Sequence, residues 1–102
     1  MKRLSKDMAR RLNRLGCKSA ELADVTYWLI NQGYLLGVHA INIDVWEDNR
    51  QQRIVMYLTD IQQLRTEQIS LHIGPHISAR DYMEAVEMGL QWVLDNRLDV
   101  ES

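Results

Sequence analysis

The residues best suited to chemistry in this chain are three histidines, one cysteine and fourteen carboxylates. His72 and His76 stand four apart in "ISLHIGPHISARD", the spacing at which a helix would let two imidazoles share a metal. Gly74 and Pro75 lie between them, and proline cannot occupy a helix interior, so helical geometry does not apply. A zinc site would need further protein ligands, and Cys17 and His39 come with no Cys-x-x-Cys or His-x-Glu element to supply them. The pair is therefore assigned neither a metal nor a catalytic role, and no cofactor is expected. It reads as flanking a bend between the last strand and the last helix. Ser78 would cap that helix, with Asp81 three residues on as a carboxylate favoured at the positive helix end.

Cys17 has basic neighbours in Arg14 and Lys18, which would lower a thiol pKa and favour a thiolate nucleophile. The better supported reading is a small residue in an interhelical turn. A single cysteine cannot close an intramolecular disulfide, and a reducing cytoplasm fits it best. The glycines (16, 33, 37, 74 and 89) are scattered, so no phosphate-cradling loop or nucleophile elbow is present. Acid pairs such as Asp44 with Asp48 or Glu84 with Glu87 have the look of a solvated face. The chain reads as non-enzymatic.

With 102 residues, 46% hydrophobic and 25% charged, one ordinary globular domain with one core is expected over 1–102. No apolar run approaches the ~20 residues a membrane helix requires. The basic opening also lacks the apolar segment of a secretory signal, so a cytoplasmic location is expected. The net charge of −2 conceals a segregation, since residues 1–18 carry +6 and residues 19–102 carry −8.

The basic segment forms an amphipathic N-terminal helix over 1–17. Leu4, Met8, Leu12 and Leu15 make its apolar stripe, and Gly16 ends it. Residues 19–97 form an α-β-β-β-α body. Ser19 would cap a second helix to about Gln32, with Leu22, Val25, Leu29 and Leu36 on its inner face. Three runs then alternate with period two: 38–47 with Ile41, Ile43 and Val45 inward, 53–59 with Ile54, Met56 and Leu58 inward, and 69–73 with Ile69, Leu71 and Ile73 inward. "EDNRQQ" is a hairpin turn, and "DIQQLRTEQ" a longer link. The last helix, 79–97, buries Met83, Val86, Leu90, Val93 and Leu94. The fold class is α+β: a two-layer arrangement of a three-stranded antiparallel sheet with helices on one face, in the order α-α-β-β-β-α.

Two surfaces follow. Trp46, Val55 and Tyr57 would occupy the outer sheet face, with Met88 and Trp92 off the core stripe of the last helix and Trp28 on the polar side of the second. Aromatics and methionine are enriched at interface cores, so a protein–protein contact is expected there, most simply a homodimer, with another protein as the alternative partner. The second surface is the basic arc of Lys2, Arg3, Lys6, Arg10, Arg11 and Arg14, which could contact nucleic acid phosphates, meet an anionic membrane surface, or complement an acidic surface of this chain or of a partner.

The stretch "MARRLNRLGCKSAELADVTYWLINQGYLLG", followed by "EDNRQQRIVMYLT", resembles a winged-helix DNA reader: two helices, a "Gly-Tyr-Leu" exit, then a hairpin whose turn carries Asp48, Asn49, Arg50 and Arg53. Its groove-entering helix, however, would present Glu21 and Asp24 to phosphate. The portion 19–97 is similar in element order to a double-stranded RNA-binding domain, and "GPH" echoes that family's Gly-Pro-x-His. That family opens its last helix with several lysines, where this chain has only Arg80 amid Asp81, Glu84 and Glu87. Neither resemblance makes the chain a member.

Overall fold

A computed structural model describes residues 2–100. Ser5 starts the first helix, α1 (Lys6–Arg14), by accepting a hydrogen bond from the Met8 amide, and Gly16 ends it at a φ of +105°. Helix α2 spans Leu22–Asn31 with Glu21 at its N-cap position. Ser19 does not cap it; two residues before the N-cap, its hydroxyl accepts from the Glu21 amide and donates to Asp24. Gly33, at φ +97°, then releases the chain into β1 (Tyr34–Glu47).

A two-residue turn at Asp48 and Asn49, both at positive φ, joins β1 to β2 (Arg50–Leu64). Asp and Asn tolerate the left-handed conformation that such a hairpin turn demands. The strands are thus longer than the alternation suggested. "YLLG" opens β1, and "DIQQL" continues β2 instead of forming a link. The far edge of β2 pairs with two short strands, β3 (Ser70–His72) and β4 (Ile77–Ala79), giving a four-stranded antiparallel sheet. From His72 opposite Gln62 to Ile77 opposite Thr59, β2 advances three residues while its partner advances five, so Gly74–Pro75 is extruded as a bulge.

Ser78 accordingly lies in a strand and caps nothing; Asp81 is the N-cap of α3 (Tyr82–Val93), accepting from the Glu84 amide at 3.0 Å. A π-helical segment, Leu94–Leu98, follows.

The helices cover one face of the sheet, an α+β arrangement. Leu4, Met8, Leu12, Val25, Leu29, Val86, Leu90, Val93 and Leu94 meet Tyr34 and Ile61 in the core, with Leu36 and Val38 packed against it. Thr59, the one buried polar side chain among the described residues, donates its hydroxyl hydrogen to the Ala85 carbonyl at 2.8 Å.

This core fixes which sheet face is covered, and it reverses the faces expected from the alternation. Tyr34, Leu36, Val38, Thr59 and Ile61 lie on the helix side, so Asn42, Trp46, Val55 and Tyr57 share that side by strand parity. Ile41, Ile43, Val45, Ile54, Met56 and Leu58 lie on the opposite side and take no part in the core. In β3, Leu71 shares the helix side, and Ser70 and His72 lie on the open side.

The core reaches only the base of the hairpin. Beyond Val38 and Tyr57 the two strands run on as an overhanging arm, and the radius of gyration is 15.3 Å, against about 13 Å for a compact chain of this size. No helix is long and apolar enough to cross a membrane among the described residues.

Candidate interaction surfaces

Five residues were expected to form the protein contact, and the structure distributes them differently. Trp46 is 75% exposed and Val55 44%, both on the arm. They owe this exposure to lying past the end of the helix layer, because their face is the helix side. Tyr57, at the base of the same face, is half-buried edge-on against Tyr82, with ring centroids 5.7 Å apart. Met88 is exposed on α3. Trp92 is half-buried against the core, and its ring fills the space beside Gly74, where a Cβ would come within 3.0 Å. Trp28 likewise packs on the core and is not held out on a polar side. The sequence offered no sign of the Gly74–Trp92 contact, since it depends on where the bulge folds.

Sequence reasoning treated the other sheet face as interior and so missed it as a surface. Ile41 opposes Met56, and Ile43 opposes Ile54, in successive cross-strand pairs. Such opposed side chains sit close enough to merge into one patch. The outer edge of β1 carries no neighbouring strand among the described residues. A two-stranded ribbon is marginal by itself in water, so the overhanging arm is the part of the fold most in need of a cover.

The bulge brings His72 and His76 together after all. Their rings stack with centroids 4.6 Å apart at 21°, and His72 Nδ1 is bonded to a carboxylate oxygen of Asp60. Gln62 donates to the other Asp60 oxygen at 2.8 Å. The Gln62 hydrogen bond, assisted by His72 and opposed by partial burial, holds the Asp60 carboxyl below its usual range. No group of three or more metal-binding side chains converges among the described residues. The cluster lies on the open sheet face at the base of the aliphatic stripe.

The basic arc is largely engaged within the chain. Arg11 donates to Asp95 and, at 3.0 Å, to Asp99; burial pulls its pKa down, and the two carboxylates outweigh that and raise it. Arg3 faces Glu21 at 3.7 Å, and Arg10 faces Asp7 at 3.3 Å. Lys2 sits 3.8 Å over the Tyr82 ring. Lys6 and Arg14 make no side-chain hydrogen bond or ion pair among the described residues. Between α1 and α3 an open cleft of about 350 Å³ is lined by Ser5, Asp7, Met8, Arg11, Glu87 and Gln91. Within it Ser5 donates to Glu87, while Asp7 and Arg11 pair with Arg10 and Asp95 outside the lining. Cys17 is buried, its sulfur 3.5 Å from the Ser19 carbonyl.

Comparison with protein-family models, with curated proteins and with solved structures returned no match. The functional reading therefore rests on the residues themselves.

Proposed function

We propose that this protein is a small non-enzymatic interaction module of the cytoplasm that acts by self-association, most simply as a homodimer. The observation that carries this reading is the overhanging β-arm, which exposes apolar side chains on both faces beyond the reach of the core. Large side chains such as Trp46 held out on a two-stranded ribbon gain by meeting another protein surface. The polar clusters support binding over catalysis: Ser5–Glu87 and Arg11–Asp95 are closed pairs, and the His72–Asp60 pair lies outside the cleft between α1 and α3. Sedimentation velocity from about 1 μM to about 1 mM tests the reading, because homodimer affinities of ordinary interfaces fall in or below that window. A concentration-dependent dimer is expected, and a strict monomer throughout would end the proposal.

A second reading, a nucleic-acid-associated regulator, is favoured by one observation, the uncompensated Lys6 and Arg14 on α1. It predicts binding to generic duplex that weakens steeply with salt and is lost in a Lys6→Glu, Arg14→Glu variant. Deleting the basic segment would not test it, because Leu4, Met8 and Leu12 are core residues. Absence of binding at low salt would end this reading.

A further inference from the structure

We infer that the open aliphatic face of the sheet, formed by Ile41, Ile43, Val45, Ile54, Met56 and Leu58, is the seat of a second copy of this chain. The inference deepens the self-association reading and rests on it, and it names a different surface from the Trp46 side of the arm.

The first ground is chemical. The six side chains alternate with the helix-side set along both strands and fall in adjacent rungs of the ladder. None belongs to the core: Ile41 is exposed and the other five are half-buried by one another along the ribbon, so the apolar surface they still present is unused by the monomer. Between its two ends the face carries one titratable side chain, His39, opposite Leu58. The apolar centre is rimmed by Gln52, Gln62, Ser70 and Ser78, as befits an interface whose middle is dry and whose border is wet.

The second ground is electrostatic. At the tip, Glu47 and Arg50 stand opposite each other in register. At the base, Asp60 is bonded to His72. The tip therefore carries both signs, and the base a carboxylate. Two identical faces stacked about a two-fold axis match such a pattern in either sense. Tip over tip sets Glu47 against Arg50 of the second copy, and tip over base sets Arg50 against Asp60 of the second copy. An acidic partner would meet a like charge at Glu47 and Asp60 and a basic one at Arg50, which favours a copy of this chain over either.

The third ground is area. From Leu35 to Glu47 the face runs roughly 40 Å, and it is about 10–14 Å wide across two to three strands, so its plan area is roughly 500 Å². Two such faces together bury about 1,000 Å², the lower end of specific interfaces, so a dimer of modest affinity is expected. Aligned face-to-face packing, with the sheets about 10 Å apart, is the arrangement two twisted antiparallel sheets adopt.

Sedimentation of the full chain as wild type, Ile54→Asp and Val55→Asp tests the inference. Ile54 and Val55 are neighbours in β2 on opposite faces, so both variants lose a β-branched residue and gain one charge on the arm. Circular dichroism and thermal unfolding report the fold of each. We expect Ile54→Asp to weaken dimerisation at least about 30-fold, as for a central interface residue, and Val55→Asp to change it by less than about threefold. Should Ile54→Asp fail to fold, Ile43→Thr keeps the β-branch, and about tenfold weakening is expected of it. If Val55→Asp dissociates the dimer as strongly as Ile54→Asp, or if neither aliphatic-face variant weakens it, this face is not the seat and the inference falls, while self-association itself stands. A monomeric wild type overturns both.

Discussion

Gly89 of α3 lies directly on Thr59 of β2: a Cβ at Gly89 would come within 2.5 Å of Thr59 Cγ2 and 2.9 Å of Leu36 Cδ1. The Leu36 methyl is a flexible end and can move. Thr59 cannot easily rotate away, since its hydroxyl is committed to the Ala85 carbonyl in a fully buried position. Alanine at 89 would gain about 1 kcal/mol of helix propensity and lose about 1–3 kcal/mol to overpacking. We expect Gly89→Ala to lower the thermal midpoint, and an increase would show that α3 can lift off the sheet at no cost.

Leu12, with no exposed surface, ties the basic helix into the core. Leu12→Ala should cost about 2–5 kcal/mol of unfolding free energy, read by denaturant titration. Removal of residues 1–17 should abolish cooperative unfolding altogether, because it strips Leu4, Met8, Leu12 and Cys17 from one cluster.

Arg11 joins α1 to the π-helical end of the chain through Asp95 and Asp99. Its side chain is 21% exposed and its partners more so, which keeps the pairs partly screened. Arg11→Met, which retains the aliphatic stem, should cost about 1 kcal/mol and speed amide exchange across 94–99 more than elsewhere. Uniform acceleration across the chain would contradict a local clamp.

The hairpin turn holds Asn49 at φ +62°. Asn49→Gly should be neutral or slightly stabilising, and Asn49→Val should cost about 1–2 kcal/mol, since a β-branched residue is strained in the left-handed region. Exchange of the arm amides, 41–56, is the direct readout.

The Asp60 carboxyl titrates below its ordinary 3.8, so its ionised form is favoured in the folded chain. The stability it contributes is complete above pH 3.8 and is lost as pH falls through the lower folded value. Asp60→Asn should therefore be less stable than wild type at neutral pH by about 0.5–1 kcal/mol, with the gap closing in the acid limb. A gap that persists at the acid end would assign the effect to packing.

Local chemistry made much of the fold legible. The stripes of α1, α2 and α3 repeat at helical period over several turns, and Met8, Leu12, Val25, Leu29, Val86 and Leu90 are buried as that period requires. Gly16 and the Asp48–Asn49 turn act through their nearest neighbours in sequence, as helix ends and tight turns do. The ends of the last helix were less legible. Ser78 and Asp81 are both good caps, and the choice between them was made by pairing of Ile77–Ala79 with β2, a contact across some twenty residues.

By itself the sequence determined that the sheet has two alternating faces and that its strands are antiparallel. Which face is covered was decided only in three dimensions. Residues 41–45 and 54–58 alternate cleanly, and a period of two cannot distinguish an apolar face turned to helices from an apolar face turned to solvent. The covered side is set by Tyr34, Leu36, Val38, Thr59 and Ile61 at the base, where the helices reach. Farther along, the helices end and the same ribbon presents its aliphatic residues on the other side. The stacking of His72 on His76 has the same origin. Gly74 and Pro75 rule out a helix between the two rings, but only the register with β2 folds the bulge so that they meet beside Asp60.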